Sequence, residues 1–247
     1  MSYCIKYKKY SKEIFELKNT IELQVKVFLL KDIKIEDTLQ QICKLIDYSL
    51  IENKLYEDFH NENKFKNYSF NMLYPLEKDK VYKKENIYTF LLRTVDNELS
   101  EYFIKKLINQ YTDEIKVLTI NKKIIPKKHV ESIHTITPIV AKFDNGYWKK
   151  HSSIEVLEKR ITENLIKKYN SFYDEKIDED FELFTAISIV NRKPIATKYK
   201  NISILGDKIN FKVADNEKAQ EIINFALGTG MGEMNSRGFG FINYRWL

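Results

Sequence analysis

Residues 219–246 read AQEIINFALGTGMGEMNSRGFGFINYRW, and the order of elements within them decides how the chain is understood. Ala219, Ile222, Ile223, Ala226 and Leu227 recur at helical spacing. Five of the chain's seven glycines then fall between Gly228 and Gly240. Glycine tolerates positive φ and lets a backbone approach its neighbours closely, so such a concentration marks a demanding loop. Phe239, Phe241 and Tyr244 follow as a short aromatic strand. The order is helix, glycine-rich loop, strand. A dinucleotide fingerprint needs the reverse, which removes that reading of Gly228-x-Gly230-x-Gly232. Residues Arg237 to Tyr244 instead fit the consensus K/R-G-F/Y-G/A-F-V-x-F/Y, with Ile242 in place of Val. There, aromatics on a sheet stack on unpaired bases. Phe239 and Phe241 packed into a core would show the same spacing, so both readings stay open at this point.

Upstream of this stretch the pattern repeats itself. Ile21, Leu23, Val25, Val27 and Leu29 alternate as in a half-buried strand, and Ile35, Leu39, Ile42, Cys43, Ile46 and Leu50 make one helical stripe. Strands are expected at residues 68–73, 87–95 and 115–125, with Asp96 capping a helix that begins near Asn97. Residues 1–18 show no clear period and are left as an extension. After Pro126 the order restarts: a strand over 130–143, a helix over 153–169, and strands over 181–190, 195–205 and 209–213. Asp215 is placed as the cap of the final helix. The first half therefore reads βαββαβ and the second a βαββαβ-like unit. The expected fold class is α+β, with two tandem ferredoxin-like (RRM-like) domains at 1–125 and 126–247.

The bulk numbers agree with a soluble globular chain. Of 247 residues, 43% are hydrophobic and 31% charged, and 41 Lys and Arg against 35 Asp and Glu give a net charge of +6. That bias suits an anionic partner without requiring one. Cys4 and Cys43 cannot build a disulfide framework or a zinc site. No apolar run reaches membrane-spanning length, and a cytoplasmic protein with no membrane association is expected.

Candidate chemistry is sparse. His129, His134 and His151 have no supporting motif. His60 stands in Phe59-His60-Asn61-Glu62-Asn63-Lys64-Phe65-Lys66, between the first helix and a strand. Histidine moves protons near neutral pH, and a lysine stabilises a phosphorane-like transition state. Tyr48 lies on the first helix opposite its apolar stripe. Such a Tyr, His and Lys set could cleave RNA without metal: one group takes the 2′-hydroxyl proton, another protonates the departing 5′-oxygen.

Together these segments resemble the CRISPR-associated repeat-processing endoribonucleases of the RAMP superfamily. The resemblance is carried by GTGMGEMNSRGFG, by FHNENKFKNYSFNMLYP, IYTFLLRTV, TPIVAK with a following YW, and by KPIATKYKN, in order over residues 20–246. It implies two ferredoxin-like domains and metal-independent cleavage of precursor CRISPR RNA within each repeat. The products would be a 2′,3′-cyclic phosphate and a 5′-hydroxyl, with no cofactor. It implies passage of the mature RNA to a multi-subunit interference complex, whereas homodimerisation is left open. One branch uses histidine and lysine six positions apart after the first helix, which His60 and Lys66 match. Tyr48 completes the set, with Tyr56 competing for that place and Lys64 an alternative to Lys66. RNA would be held by the loop at Gly228, Gly230 and Gly232, by Ser236, Arg237 and Phe239, and by Lys198 and Lys200. The lysines at 122, 123, 127 and 128 offer a second basic track. The rival is a non-catalytic RNA-binding subunit of a CRISPR ribonucleoprotein complex with the same fold.

Overall fold

A computed structural model describes residues 19–52 and 54–247; Cys4 and the expected extension over 1–18 lie outside the described residues. The first half contains β1 (Thr20–Leu29), β2 (Ile33–Lys34), α1 (Thr38–Ile51), α2 (Lys54–Asn61), β3 (Tyr68–Phe70), β4 (Val81–Tyr82), β5 (Ile87–Thr94), α3 (Asn97–Leu107) and β6 (Ile115–Ile125). The second contains β7 (Val130–Thr135), α4 (Ile154–Tyr173), β8 (Phe184–Ile189), β9 (Ile195–Tyr199), β10 (Ile202–Gly206), β11 (Ile209–Val213), α5 (Glu217–Thr229) and β12 (Ile242–Trp246).

Each half builds a four-stranded antiparallel sheet, in the orders β3-β5-β1-β6 and β12-β7-β11-β8. In both, the last strand of the βαββαβ unit lies beside the first, and the third separates the first from the second. This is the ferredoxin-like arrangement, and it appears twice. Period-2 alternation in β1 sends Ile21, Leu23, Val25, Val27 and Leu29 inward, all of them buried, against Ile42, Ile46 and Leu50 of α1. The carboxylate of Asp96 accepts from the Leu99 N–H at 3.1 Å and starts α3. In the second half, Leu157, Ile161 and Leu165 of α4 share a core with Ile222, Ile223 and Ala226 of α5.

The two halves are fastened along the ends of β1 and β5. Arg93 and Glu22 form a buried ion pair, with Nε donating to Oε2 at 2.8 Å. The same guanidinium donates to the Ile242 carbonyl at 2.7 Å and to Asn243 Oδ1 at 3.1 Å, and lies 4.4 Å from the Phe241 ring centre. Thr20 donates to the Asn224 carbonyl and Ser69 to that of Gly228, both in α5.

Four local expectations change. Residues 54–61 form α2, so His60 is in the last turn of a helix rather than a loop. The segment 195–205 is a hairpin, β9 and β10, because Lys200 takes a φ of 53° at a two-residue turn. The α5 cap is Asn216, which accepts from Ala219 N–H at 2.8 Å, rather than Asp215. The last strand begins at Ile242, because Gly238 and Gly240 adopt φ of 87° and 66°, outside strand conformation.

Candidate active site

The site is a cleft of about 420 Å³ at the junction of the two halves. From the first half it receives Asp47 and Tyr48 of α1 and His60 of α2; from the second, Lys198 and Lys200 of the hairpin and Arg237. Tyr48 is 41% exposed, because it lies off the α1 stripe that packs on the sheet. The His60 position follows from the packing of α2. Tyr56 and Phe59 turn toward the first core, Tyr56 stacking on Tyr102 with ring centres 3.7 Å apart. His60, one residue after Phe59, is thereby turned toward α1. Tyr56 is committed to that stack, so Tyr48 is the tyrosine that shares the cleft with His60.

Asp47 joins the groups from the two halves. Its Oδ2 accepts from Arg237 Nη1 at 2.6 Å, and its Oδ1 lies 3.4 Å from His60 Nδ1 with no hydrogen bond closed. Arg237 Nη1 also lies 2.9 Å from the Cys43 sulfur. Burial, and then the Asp47 carboxylate, push the Cys43 thiol up to about 12, so it is a neutral acceptor here. Burial works against the Arg237 charge, but its contacts with Cys43 and Asp47 outweigh this and hold the guanidinium above its ordinary value. With Cys43 neutral, Asp47 is the partner that matters. Nothing local in the sequence pairs Asp47 with Arg237, which lie 190 positions apart.

Lys198 reaches Asp37 across the junction at 3.0 Å, which anchors the hairpin on the first half. Lys200, at the hairpin tip, carries its ammonium 5.8 Å from the Tyr199 ring centre. Lys44, also on the cleft wall, lies 5.6 Å from the Tyr48 ring centre.

Lys66 does not join them. Its ammonium turns back onto the end of α2, donating to the carbonyls of Phe59 and, at 2.7 Å, of Glu62. Lysines often close helix C-termini in this way. Burial lowers its pKa, Glu62 opposes this, and the positive charge of Arg237 adds to the lowering. Lys64 pairs with Glu62 at 2.9 Å. Both lysines line a second cavity, of about 310 Å³, which also receives Ser236, Gly232 and Lys168.

The glycine-rich segment is packed rather than presented. Gly228, Gly230 and Gly232 are buried. A Cβ on Gly228 would stand 2.7 Å from Val95 and 2.9 Å from the Thr94 backbone, so glycine lets α5 press onto the end of β5. Gly238 takes φ 87° against Leu39 and Phe70 of the first half. The N–H of Gly230 donates to the Ala226 carbonyl and that of Met231 to Gly240, so these donors are already engaged. Phe239 is 1% exposed and Phe241 equally buried, which resolves the open reading in favour of core packing. Of the RNA-holding positions expected in this segment, Arg237 and the buried Phe239 line the His60 cleft. Ser236 lines the second cavity, beside the buried Tyr68.

Among the described residues, no cluster of three or more His, Cys, Asp or Glu could hold a metal ion, and no helix is long and apolar enough to cross a membrane.

Known CRISPR-associated proteins resemble this chain. A curated relative from Methanocaldococcus jannaschii, named CRISPR-associated endoribonuclease Cas6 1, is 28% identical over 200 residues, which covers 74% of this chain and 75% of that protein. A solved structure titled "CRISPR associated protein Cas6" superimposes with a TM-score of 0.66 at 25% identity, covering 92% of this chain and 99% of the other. Another, titled "An RAMP protein binding different RNA substrates", shares the fold with a TM-score of 0.70 at 18% identity, covering 91% and 99%. The family model described as "CRISPR associated protein Cas6, C-terminal" matches residues 119–244, which hold the second sheet as far as Tyr244, the hairpin and the turn that delivers Arg237. A chain that carries this half, joined to a first half of the same fold across a shared cleft, belongs to the Cas6 family of CRISPR-associated proteins.

Proposed function

We propose that the protein is an endoribonuclease that cuts precursor CRISPR RNA within its repeats by metal-independent attack of a 2′-hydroxyl. The observation that carries this reading is the cleft that unites Tyr48 and His60 with Lys198, Lys200 and Arg237. Two proton-transfer side chains beside several cations are what the reaction needs. One of Tyr48 and His60 takes the proton from the 2′-hydroxyl. The oxyanion forms a bond to the adjacent phosphorus, and the bond from phosphorus to the 5′-oxygen breaks. The other group gives the departing oxygen its proton. The products are a 2′,3′-cyclic phosphate and a 5′-hydroxyl, and the cations neutralise charge on the phosphorane.

Asp47 orients this pair: a closure of a few tenths of an ångström would let its Oδ1 accept from His60 Nδ1. Lys66 acts one step removed, by closing the last turn of α2 on which His60 stands. The domain boundary at residue 126 belongs to the same reading, since the first sheet ends at Ile125 and the second begins at Val130. Repeat RNA is the partner on this reading. Delivery of the product to a multi-subunit interference complex follows the family resemblance, and a cytoplasmic location follows the reading of the sequence.

The test is incubation with a repeat RNA in EDTA, beside the same RNA carrying a 2′-deoxy nucleotide at the cut. Cleavage of the first to a cyclic-phosphate end, with survival of the second, is expected. Binding of both without cleavage would instead make the protein a non-catalytic RNA-binding subunit.

A further inference from the structure

Lys168 is buried in α4 at 2% exposure, and its ammonium touches no carboxylate among the described residues. Its Nζ donates to the Gly230 carbonyl at 2.8 Å and to Asn235 Oδ1 at 2.7 Å. Burying an amine against neutral acceptors is unfavourable for its charge. Burial brings its pKa down to about 7, and Glu233, already paired with Arg160 at 2.8 Å, offsets this only in part. A methionine would fill the same space without that cost. The two N–H donors are therefore what the position supplies, and the amine keeps two of them whether or not it is protonated.

Those donors act on the hub of the glycine-rich turn. The Asn235 amide nitrogen donates to the carbonyls of Met231 at 2.9 Å and Phe239 at 3.0 Å, tying the two limbs together. Lys168 takes the remaining side of the same amide. Asn235 opens a single 3-10 turn, Asn235–Arg237, so any shift of the hub passes directly to Arg237.

We propose that Lys168 is a positioning residue for Arg237: it latches the glycine-rich turn to α4, so that the guanidinium meets Asp47 beside His60. The latch stands on the contacts of the turn, whereas its effect on cleavage rests on the nuclease reading. Two measurements on Lys168→Met keep them distinct. Single-turnover cleavage of a repeat RNA should slow by about 10-fold or more, while the affinity for the 2′-deoxy-blocked RNA stays within about 3-fold. Amide exchange of Arg237 and Gly238, whose N–H groups close the 3-10 turn on the Met234 and Asn235 carbonyls, should accelerate by about 5-fold or more, because the hub is no longer held. Lys168→Gln keeps an amide donor and should recover part of both effects; it also serves if Lys168→Met does not fold.

Unchanged amide exchange in both variants overturns the latch. Faster exchange with wild-type cleavage overturns its catalytic role. If wild-type protein binds the RNA without cutting it, the nuclease reading fails, and amide exchange alone decides whether Lys168 holds the turn.

Discussion

The two ferredoxin-like units make the same connection, from their last helix to their last strand, in opposite ways. In the first unit, residues 108–114 return from α3 to β6 with no glycine, closed locally by Thr112, whose hydroxyl accepts from the N–H groups of Glu114 and Ile115. In the second unit, residues 230–241 run from α5 to β12 through four glycines and leave their own unit. They pack on Leu39 and Phe70 and carry Arg237 to Asp47 of α1. A short closed turn finishes a domain. The long glycine-rich one builds a shared cleft, because it lets one unit place a cation beside Tyr48 and His60 of the other.

That division of labour can be broken from either side. The largest effect should come from the first unit. His60→Ala is expected to lower single-turnover cleavage by about 1000-fold with repeat binding little changed, within the range for loss of a general acid or base. Cleavage at the wild-type rate would remove the chemistry from this cleft. Next in size is the packing of the long connection. Gly228→Ala pushes a Cβ into Val95 and the Thr94 backbone, and should destabilise the folded chain by about 1–3 kcal/mol, read by denaturant titration. An unchanged midpoint would show that α5 and β5 can part without cost. The smallest effect belongs to the hairpin. Lys200→Ala should weaken RNA binding a few-fold and lower the slope of log affinity against log salt by about 0.7 if the lysine meets one phosphate. An unaltered slope would place Lys200 outside the RNA path.

Much of this was legible in the sequence because it is periodic. The alternation of β1, the helical stripe of α1 and the Asp96 cap are local signals whose tertiary context agrees with them. The hairpin was less visible, since Lys200 turns the chain without glycine or proline. Helix α2 is hard to read from the sequence because it is short and mostly polar; among its described side chains, Tyr56 and Phe59 turn inward. Within the site, Tyr48, His60, Lys198, Lys200 and Arg237 could be named from residue type and order, and the fold brings them into one cleft. Asp47 could not, because its role depends on a partner far along the chain. Lys66 shows the converse. Its spacing from His60 suggested a shared site, yet the carbonyls at the end of α2 are nearer acceptors for its ammonium. The aromatics near Gly240 matched a base-stacking consensus in type but not in exposure, and exposure is fixed by the φ angles of the glycines between them.

The buried Arg93–Glu22 pair sets how the molecule folds as a whole. Both charges belong to the first unit, but two of the guanidinium's acceptors and its ring partner belong to the second. A first unit made alone would expose this ion pair and the apolar ends of β1 and β5 to water, and a second unit made alone would leave its Ile242 carbonyl without its donor. Unfolding should therefore run as one cooperative transition across both halves, and the cleft between them opens only when the whole chain does.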